Sequence, residues 1–325
     1  MQEQKNQSTI EDKRCFISKE DPKINPEDQI AIQRKMSYEC KRTIKAHKDW
    51  VTKIVLLKNG SILSCSEDNT MKLWSIEDKE RKPIQIFKGH TEGVVCAIQY
   101  SSGKIVSSSR DKTLRIWNIA SGEEVNCITS RQPYYCITQL NDSLIAVAGG
   151  DRDIRIYDLS NNEETVEVGI MEGHELVIRD LAVLDKVTIA SCSEDKTIKV
   201  WNYETKEMLF TLIGHTEGVK TIKLLSNGKL VSGGFDNLIK IWDLKKKECE
   251  FTLEGHTGHV FCLEELNDGR LISGATDWSM IVWDVEKRKK DFEIEGHNES
   301  VNSLIVLSDG GIVSCSTDQT IKIWE

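Results

Sequence analysis

The chain has 325 residues, with 43 Lys and Arg against 52 Asp and Glu, a formal net charge of -9, and 39% hydrophobic and 29% charged residues. This balance is typical of a folded globular protein, and the acidic charge disfavours binding to nucleic acid through bulk electrostatics. No apolar run approaches the ~18 residues that span a bilayer, and the first ten residues are too polar for a secretion signal, so we expect neither a membrane protein nor a secreted one.

Residues 1–37 differ from the rest of the chain, because their seven basic and seven acidic residues cancel and leave the whole net charge to the remainder. Asn25 followed by Pro26 is a typical helix start, so a short helix is predicted near residues 26–36. The rest of this N-terminal tail is expected to be partly disordered, or to become ordered on a partner.

A Gly-His dipeptide recurs along the chain, and a tryptophan follows each of these histidines at one constant spacing. The Ala46-His47 dipeptide is a variant with the same spacing. The pairs are His47 and Trp74, His90 and Trp117, His174 and Trp201, His215 and Trp242, His256 and Trp283, and His297 and Trp324. An internal repeat of this kind determines the fold.

One repeat unit is degenerate, because the interval between His90 and His174 is about twice the interval between other successive histidines of the series. Its remnant is GGDRDIRIYD, in which Tyr157 stands in the tryptophan position, and Ser130 stands in the histidine position. The sequence therefore predicts seven units over Tyr38–Glu325, each of about 41 residues.

Each unit is built from short strands rather than helices. Segments such as SILSCSED and KLVSGGFD are apolar and compatible with β-structure, and TMKLW and LIKIW alternate apolar and polar residues with a period of two. Pairs such as Asn59-Gly60, Asn227-Gly228 and Asp309-Gly310 are typical of hairpin turns. Four short strands in each unit predict the blade of an all-β propeller.

These repeats resemble those of the WD40-repeat family, whose units run between a Gly-His and a Trp-Asp signature. Trp-Asp itself survives at Trp242-Asp243 and Trp283-Asp284, and the resemblance covers Tyr38–Glu325. It implies a seven-bladed WD40 β-propeller. The last unit ends at Trp324-Glu325 after its third strand, so we expect residues 39–45 to supply its fourth strand and close the ring.

Every regular unit contains one His, one Ser, one Asp and one Trp at equivalent positions, and the resemblance implies that this tetrad is a structural hydrogen-bond network. Six copies around a ring also disfavour a hydrolase triad, which needs a single site. The tetrads are His47, Ser64, Asp68 and Trp74; His90, Ser107, Asp111 and Trp117; His174, Ser191, Asp195 and Trp201; His215, Ser232, Asp236 and Trp242; His256, Ser273, Asp277 and Trp283; and His297, Ser314, Asp318 and Trp324. The third unit has Ser130, Val147 and Tyr157 around Asp151, so we expect its blade to be the least stable.

No catalytic residue, cofactor or metal site is predicted. The ten cysteines include no C-x-x-C pair, and several recur at repeat-equivalent positions, as Cys65, Cys192 and Cys315 do, so we expect small buried thiols in a reducing compartment. Zinc is the alternative, but the ligand spacing is missing. Outside the tetrads only His259 remains for acid–base chemistry, and no nucleotide-binding or metalloprotease motif is present.

In the resembled family, partners bind the top of the ring around the central channel, through residues near the tetrad histidine and aspartate. Carried over to this sequence, those positions are rich in aromatic and cationic side chains, which commonly anchor interfaces. The predicted partner-binding residues are Trp50, Arg110, Tyr135, Arg179, Lys220, Phe235, His259, Phe261 and Trp278. A cationic, aromatic mouth on an acidic protein favours an acidic or phosphorylated peptide.

The leading hypothesis is a non-enzymatic interaction scaffold that binds protein or peptide partners on its top face within a cytoplasmic or nuclear complex, with a monomeric propeller. One alternative is a substrate receptor of a ubiquitin ligase that recognises an acidic or phosphorylated degron, although residues 1–37 are too few for an F-box and a linker. Another is a G-protein β-like signalling subunit, although no sustained heptad pattern precedes Tyr38.

Overall fold

The computed structural model describes residues 38–76, 82–100, 103–161 and 165–325, which contain 28 β-strands. Residues Tyr38–Glu325 form one compact unit. None of the described segments forms an apolar helix of the length that crossing a bilayer requires. The helix predicted near residues 26–36, and the tail around it, lie outside the described residues.

The strands are short, and most have five or six residues. Those of the first half of the chain are β1 (Cys40–Lys45), β2 (Val51–Leu56), β3 (Ile62–Ser66), β4 (Thr70–Trp74), β5 (Gln85–Lys88), β6 (Val94–Gln99), β7 (Lys104–Ser109), β8 (Thr113–Asn118), β9 (Glu124–Thr129), β10 (Tyr134–Gln139), β11 (Leu144–Gly149), β12 (Ile154–Asp158) and β13 (Val166–Met171). Those of the second half are β14 (Ile178–Val183), β15 (Thr188–Ser193), β16 (Thr197–Asn202), β17 (Glu207–Ile213), β18 (Val219–Leu224), β19 (Leu230–Gly234), β20 (Ile239–Asp243), β21 (Glu248–Leu253), β22 (Val260–Glu265), β23 (Leu271–Ala275), β24 (Met280–Asp284), β25 (Lys289–Ile294), β26 (Val301–Val306), β27 (Ile312–Ser316) and β28 (Thr320–Trp324).

The strands form seven antiparallel sheets of four strands each, which confirms the predicted seven-bladed propeller. Blade one is β2-β3-β4-β5, and blades two to six follow in chain order as β6 to β9, β10 to β13, β14 to β17, β18 to β21 and β22 to β25. Blade seven is β26-β27-β28-β1. The first strand of each blade contacts the first strand of the next, so these inner strands surround the central channel.

The ring is closed by β1, as the sequence predicts. This strand pairs with β28 at the outer edge of blade seven, with Ile44 opposite Ile321. Glu39 and Glu325 exchange two backbone hydrogen bonds, of 2.9 and 3.1 Å, just beyond the paired strands. The first and last segments of the propeller thus share one sheet.

The hydrophobic core lies between the blades rather than within them. Each strand alternates side chains to its two faces, and both faces of a blade are covered by neighbouring blades. In one core cluster, Ile239 and Leu253 of blade five pack with Leu271 and Trp283 of blade six. Each blade therefore depends on its neighbours for burial of its apolar side chains, as in other repeat proteins.

The propeller has two distinct faces, because the strands of a blade alternate in direction. The loops that precede each inner strand and the turns after each second strand lie on one face, here called the top face. The turns after the first and third strands lie on the opposite, bottom face. At the bottom, Gly60, Gly228 and Gly310 have φ values of 82°, 81° and 91°, which agrees with the predicted hairpin turns.

Replacing Ile44 by alanine tests the contribution of ring closure. Its side chain is 3% exposed and packs between blades seven and one. The cavity that the alanine substitution leaves should lower the free energy of unfolding, measured by urea denaturation, by about 2–5 kcal/mol. The neighbouring Lys45→Ala is the matched control, because Lys45 is exposed on the same strand, and it should change stability by no more than about 0.5 kcal/mol. Equal effects of the two substitutions would contradict a stabilising role for β1.

Candidate functional site

The top face of blade one rests on a chain of hydrogen bonds that begins in the core. The Trp74 indole Nε1–H donates to Ser64 Oγ at 2.8 Å, and Ser64 Oγ lies 2.7 Å from His47 Nε2. His47 Nδ1 lies 2.9 Å from a carboxylate oxygen of Asp68, which also accepts the backbone N–H of Lys48 at 3.1 Å. The chain thus joins β3 and β4 to the two top-face loops of the blade.

The same arrangement occurs in blades two, four, five, six and seven, so the structure brings together every member of the six predicted tetrads. The contacts from Trp Nε1 to Ser Oγ measure 2.7–2.8 Å. Those between His Nε2 and Ser Oγ measure 2.6–2.8 Å. Those between His Nδ1 and the Asp carboxylate measure 2.6–2.9 Å.

The protonation states follow from burial and hydrogen bonding. Burial lowers the pKa of His47 and outweighs the opposing effect of Asp68, so the imidazole is neutral and donates from Nδ1. Burial alone would raise the pKa of Asp68, but hydrogen bonds from His47 and Thr70 outweigh it and hold the pKa well below its usual range. The carboxylate is therefore the acceptor at the end of the chain.

The geometry of the tetrad does not suit nucleophilic catalysis. Ser64 is completely buried, and its Oγ is engaged by both Trp74 and His47, so no substrate atom can reach it. Elsewhere in the described ranges, no cluster of three or more His, Cys, Asp or Glu side chains has a geometry that could hold a metal ion.

Blade three has a different polar network in place of the tetrad. The hydroxyl groups of Tyr134 and Tyr157 lie 3.3 Å apart, and Arg155 binds Asp151 at 2.7 Å and Glu167 at 3.0 Å. The other Asp151 carboxylate oxygen is buried without a hydrogen-bond partner. Sequence reasoning identified Tyr157 and Asp151 but missed Tyr134 and Arg155.

A sequence signal for the tyrosine pair was present. The position of Tyr134 is occupied by valine or isoleucine in every other blade, namely by Val51, Val94, Ile178, Val219, Val260 and Val301. The unusual tyrosine therefore occurs in the same unit as the tyrosine that replaces the tetrad tryptophan.

Six of the nine predicted partner-binding residues lie along an arc of the top face across blades three to six, in two contacting groups. The Arg179 guanidinium stacks over the Tyr135 ring, 4.8 Å from its centroid, and donates from Nε to Glu194 at 2.8 Å. The Lys220 ammonium lies 5.4 Å from the Phe261 ring centroid. These four side chains come from four inner strands, β10, β14, β18 and β22.

The arc ends in an aromatic cluster shared by blades five and six. The Phe235 ring meets the rings of His259 and Phe261 edge to face, with centroid distances of 5.3 and 6.4 Å. His259 Nδ1 also lies 2.6 Å from the backbone carbonyl of Phe235, which fixes the imidazole. We call the six residues Tyr135, Arg179, Lys220, Phe235, His259 and Phe261 the top-face arc.

The three other predicted residues lie on the same face but are not joined to the arc by a ring contact or ion pair among the described residues. Arg110 forms an ion pair with Glu67 at 2.8 Å. Trp50 and Trp278 are each 51% exposed. Trp278 has a φ of 72°, a conformation that is strained for a bulky side chain.

The charge of the top face is more balanced than the sequence suggests. Arg110 and Arg179 are each paired with a glutamate of this chain, Glu67 and Glu194, that follows the second strand of a blade. In the described part of the chain, no carboxylate lies within ion-pair distance of Lys220. Burial and the nearby Arg179 guanidinium lower the pKa of this lysine.

The channel below the arc contains two charged residues that the sequence analysis missed, Lys53 and Asp180. Burial disfavours the Lys53 ammonium, but the Asp180 and Glu264 carboxylates act against it, and the pKa is raised. Asp180 accepts hydrogen bonds from Thr221 Oγ1 and the Ile222 N–H, both at 3.1 Å. The pairing register of β2 with β3 shifts between Val51 and Lys53, after the first residue of the inner strand. This shift turns the Lys53 side chain to the channel.

The described cysteines are all free thiols, and six of them are buried. Cys65, Cys96, Cys136, Cys192, Cys262 and Cys315 lie on the two innermost strands of their blades. Burial raises the pKa of these thiols, which makes them poor nucleophiles.

Comparison with known proteins agrees with the geometry. The family model for the WD domain, G-beta repeat, matches residues 38–75, 81–118, 165–202, 206–243, 247–284 and 288–325. The matched segments do not include the third unit. The crystal structure of the WD40 β-propeller domain of Doa1 superposes with a TM-score of 0.79 at 22% identity, covering 89% of this chain and 97% of that one, which supports the fold.

Curated relatives match over part of their length. A p21-activated protein kinase-interacting protein 1-like of Danio rerio is 27% identical over 57% of this chain and 50% of the relative. The protein of the same name from Xenopus laevis is 33% identical over 55% of this chain and 49% of the relative. The matched part of the chain therefore spans about half the length of these relatives.

Replacing His215 by alanine tests the structural role of the tetrads. The change leaves Ser232 and Asp236 without their histidine partner, so the free energy of unfolding should fall by about 1–3 kcal/mol, with a lower melting temperature. His259→Ala is the matched control, because His259 is the one exposed histidine outside the tetrads. If His215→Ala melts like the wild type, the tetrad does not stabilise the fold.

The tetrads also predict a loss of stability in acid, in two steps. The pKa values of His47, His90 and His297 are lowered from 6.5, so the unfolded chain takes up more protons as pH falls below about 6.5 and stability begins to decline. The tetrad aspartates have pKa values below 3.8, so a steeper loss follows below about pH 4. Melting temperatures measured from pH 8 down to acid unfolding should show both steps.

In Asp68→Asn the melting temperature should fall less steeply with pH below about pH 4. An unchanged slope would contradict a contribution of the tetrad aspartates to stability in acid.

Proposed function

We propose that this chain, which belongs to the WD40 repeat family, is a non-enzymatic scaffold that binds an acidic or phosphorylated protein segment on the top-face arc. Propellers of this family are interaction domains that bind protein partners, and the name of the relative from Danio rerio, a kinase-interacting protein, agrees with that role. The observation that carries the specific proposal is the arc itself, in which cationic and aromatic side chains from four blades adjoin one another.

The composition of the arc supports a protein partner. Tyr135, Phe235 and Phe261 are partly buried, so they present rigid apolar surface at a small cost in side-chain entropy. Aromatic residues and arginine are enriched among the residues that dominate binding energy in interfaces. The tetrads beneath fix the two loops that carry Phe235 and His259, and the other four side chains lie on inner strands, so little ordering should be needed on binding.

The distribution of charge supports an acidic ligand group. Lys220 has no carboxylate at ion-pair distance in the described residues, and a carboxylate or phosphate beside it would gain a charge-assisted hydrogen bond. Arg179 is already paired with Glu194 and stacked on Tyr135, so its guanidinium is held in place for a ligand that exchanges with the glutamate. Binding should weaken as salt is added.

The alternatives are less well supported. A degron receptor of a ubiquitin ligase would bind an acidic or phosphorylated segment on the same arc, so only the identity of the captured partners distinguishes it from a general scaffold. A G-protein β-like subunit depends on an N-terminal segment that lies outside the described residues. The names of two relatives refer to an interaction with a p21-activated protein kinase, which supports a protein partner, but the shared region is too small to transfer that partner to this chain.

We further propose that the propeller is monomeric. We also propose that the protein lies in the cytoplasm or nucleus, because the free thiols of the described cysteines are typical of a reducing compartment.

The test compares the proteins captured from a cell extract by the wild type and by Arg110→Ala/Arg179→Ala/Lys220→Ala. We expect selective loss of specific protein partners, and the same partners should be lost when the extract is treated with phosphatase if a phosphate is bound. The matched control is Lys186→Ala/Lys245→Ala/Lys289→Ala, which removes three exposed positive charges elsewhere and should keep all partners. Melting curves of both variants establish that they fold. An unchanged partner list for the first variant would rule out both the top-face arc and Arg110 beside it as the binding site.

A further inference from the structure

Two cationic side chains of the inner strands have no direct acceptor. Lys53 on β2 and Lys220 on β18 make neither a hydrogen bond nor an ion pair with any residue that the structure describes, and Lys220 has only its ring contact with Phe261. The other charged side chains of the inner strands each make at least one polar contact. These are Arg179, Asp180, Lys223, Glu264 and Glu265.

The two ammonium groups approach each other from nearly opposite sides of the ring. Blades one and five are separated by two blades in one direction and by three in the other. Lys220 is the fifth residue after the tetrad histidine of its blade and Lys53 is the sixth, so Lys53 lies one position deeper in the channel. Burial and Arg179 lower the pKa of Lys220 most, and Lys53 lowers it further, so the two ammoniums are close enough to repel each other.

The level of Lys53 has room for a ligand group, because the side chains around it are small. At the equivalent position blade four has Asp180, and the five other blades have Cys, Thr or Ser. These small residues are Cys96, Cys136, Thr221, Cys262 and Ser303. The thiols among them are neutral, since burial raises their pKa.

The acidic groups of the channel are held by other donors. Asp180 accepts the N–H groups of Leu181 and Ile222, at 2.9 and 3.1 Å. Deeper in the channel, Lys223 and Glu264 form an ion pair of 2.5 Å and add no net charge. The hydrogens of the two unpaired ammoniums are therefore left for a ligand.

The charges at the upper end of the channel do not cancel. Lys53, Arg179 and Lys220 are cationic, and Arg179 is paired with Glu194. With Asp180 as the second carboxylate, three cations face two acidic groups, and we call the level of these five side chains the upper channel. The upper channel thus has one positive charge in excess.

We propose that the upper channel receives an Asp or Glu side chain of the acidic segment that binds the top-face arc, and that it favours this carboxylate over a phosphorylated side chain. This proposal rests on the proposed function and decides between the two ligand groups that the arc alone leaves open. An ionised carboxylate brings one negative charge and cancels the excess. A phosphate ester brings about -1.5 to -2 at neutral pH, so it overcompensates the excess and is repelled by Asp180.

The test uses three synthetic pools of short peptides, which have uncharged random flanks and one fixed central residue, either Glu, phosphoserine or Gln. Each pool carries a fluorescent label and is titrated with the full-length protein, and binding is measured by anisotropy. Lys53→Met removes the deeper ammonium and keeps the length of the side chain. Lys186→Met is the matched control, because Lys186 is exposed at the bottom turn of blade four. Melting curves establish that the variants fold.

We expect the wild type to bind the Glu pool at least about tenfold more tightly than the Gln pool, as a charge-assisted hydrogen bond implies. It should also bind the Glu pool more tightly than the phosphoserine pool. Lys53→Met should remove the advantage of the Glu pool over the Gln pool, whereas Lys186→Met should keep every Kd within about twofold of the wild type.

Asp180→Asn tests the discrimination against phosphate separately. Without the negative charge of Asp180, the Kd of the phosphoserine pool should fall at least about fivefold relative to that of the Glu pool, because the like charge that repels the phosphate is gone. An unchanged ratio of the two Kd values would contradict the role of Asp180.

Tighter binding of the phosphoserine pool than of the Glu pool by the wild type overturns the proposal but leaves the proposed function intact, since the arc would then hold a phosphate. An advantage of the Glu pool that persists in Lys53→Met also overturns it. So does equal binding, or no binding, of all three pools. The proposed function itself fails only if the triple variant of the capture experiment keeps all its partners.

Discussion

The hydrogen-bond chain from tryptophan through serine and histidine to aspartate is the interaction on which the rest of the molecule depends. It begins at a buried indole and ends at the first residues of a top-face loop, so it transmits the rigidity of the core to a surface that lacks regular structure. Because each member has its hydrogen-bond partners, burial of these polar groups costs little free energy of folding. Loss of one member would leave its partners buried and unpaired. Blade three achieves a related connection with two tyrosines and an arginine.

The architecture could be predicted from the sequence because its determinants are local and repeated. The constant spacing from His to Trp sets the length of three strands and their turns, and the missing outer strand after Trp324 could be matched to the residues before His47. The six tetrads followed from the same spacing. Even the degenerate unit was visible, since Tyr157 occupies the tryptophan position within an alternating strand.

The surface could be predicted only in outline, because its contacts join residues of different blades. That Arg179 stacks on Tyr135, and that Glu67 binds Arg110, depends on side-chain directions that no local pattern encodes. The repeat pattern did not predict Lys53 and Asp180 as channel residues, because a register shift within each inner strand moves the channel-facing position by one residue.

Ring closure by β1 also determines how the propeller responds to mechanical tension. β1 and β28 are antiparallel, and Tyr38 and Glu325 lie at the same end of the pair. A force that separates these two residues is perpendicular to the strands, so it opens the backbone hydrogen bonds one after another, like a zipper, starting from the pair between Glu39 and Glu325. A pull in opposite directions along the strands would break them together. Tethers attached near both ends of the propeller would therefore peel the last blade apart at low force.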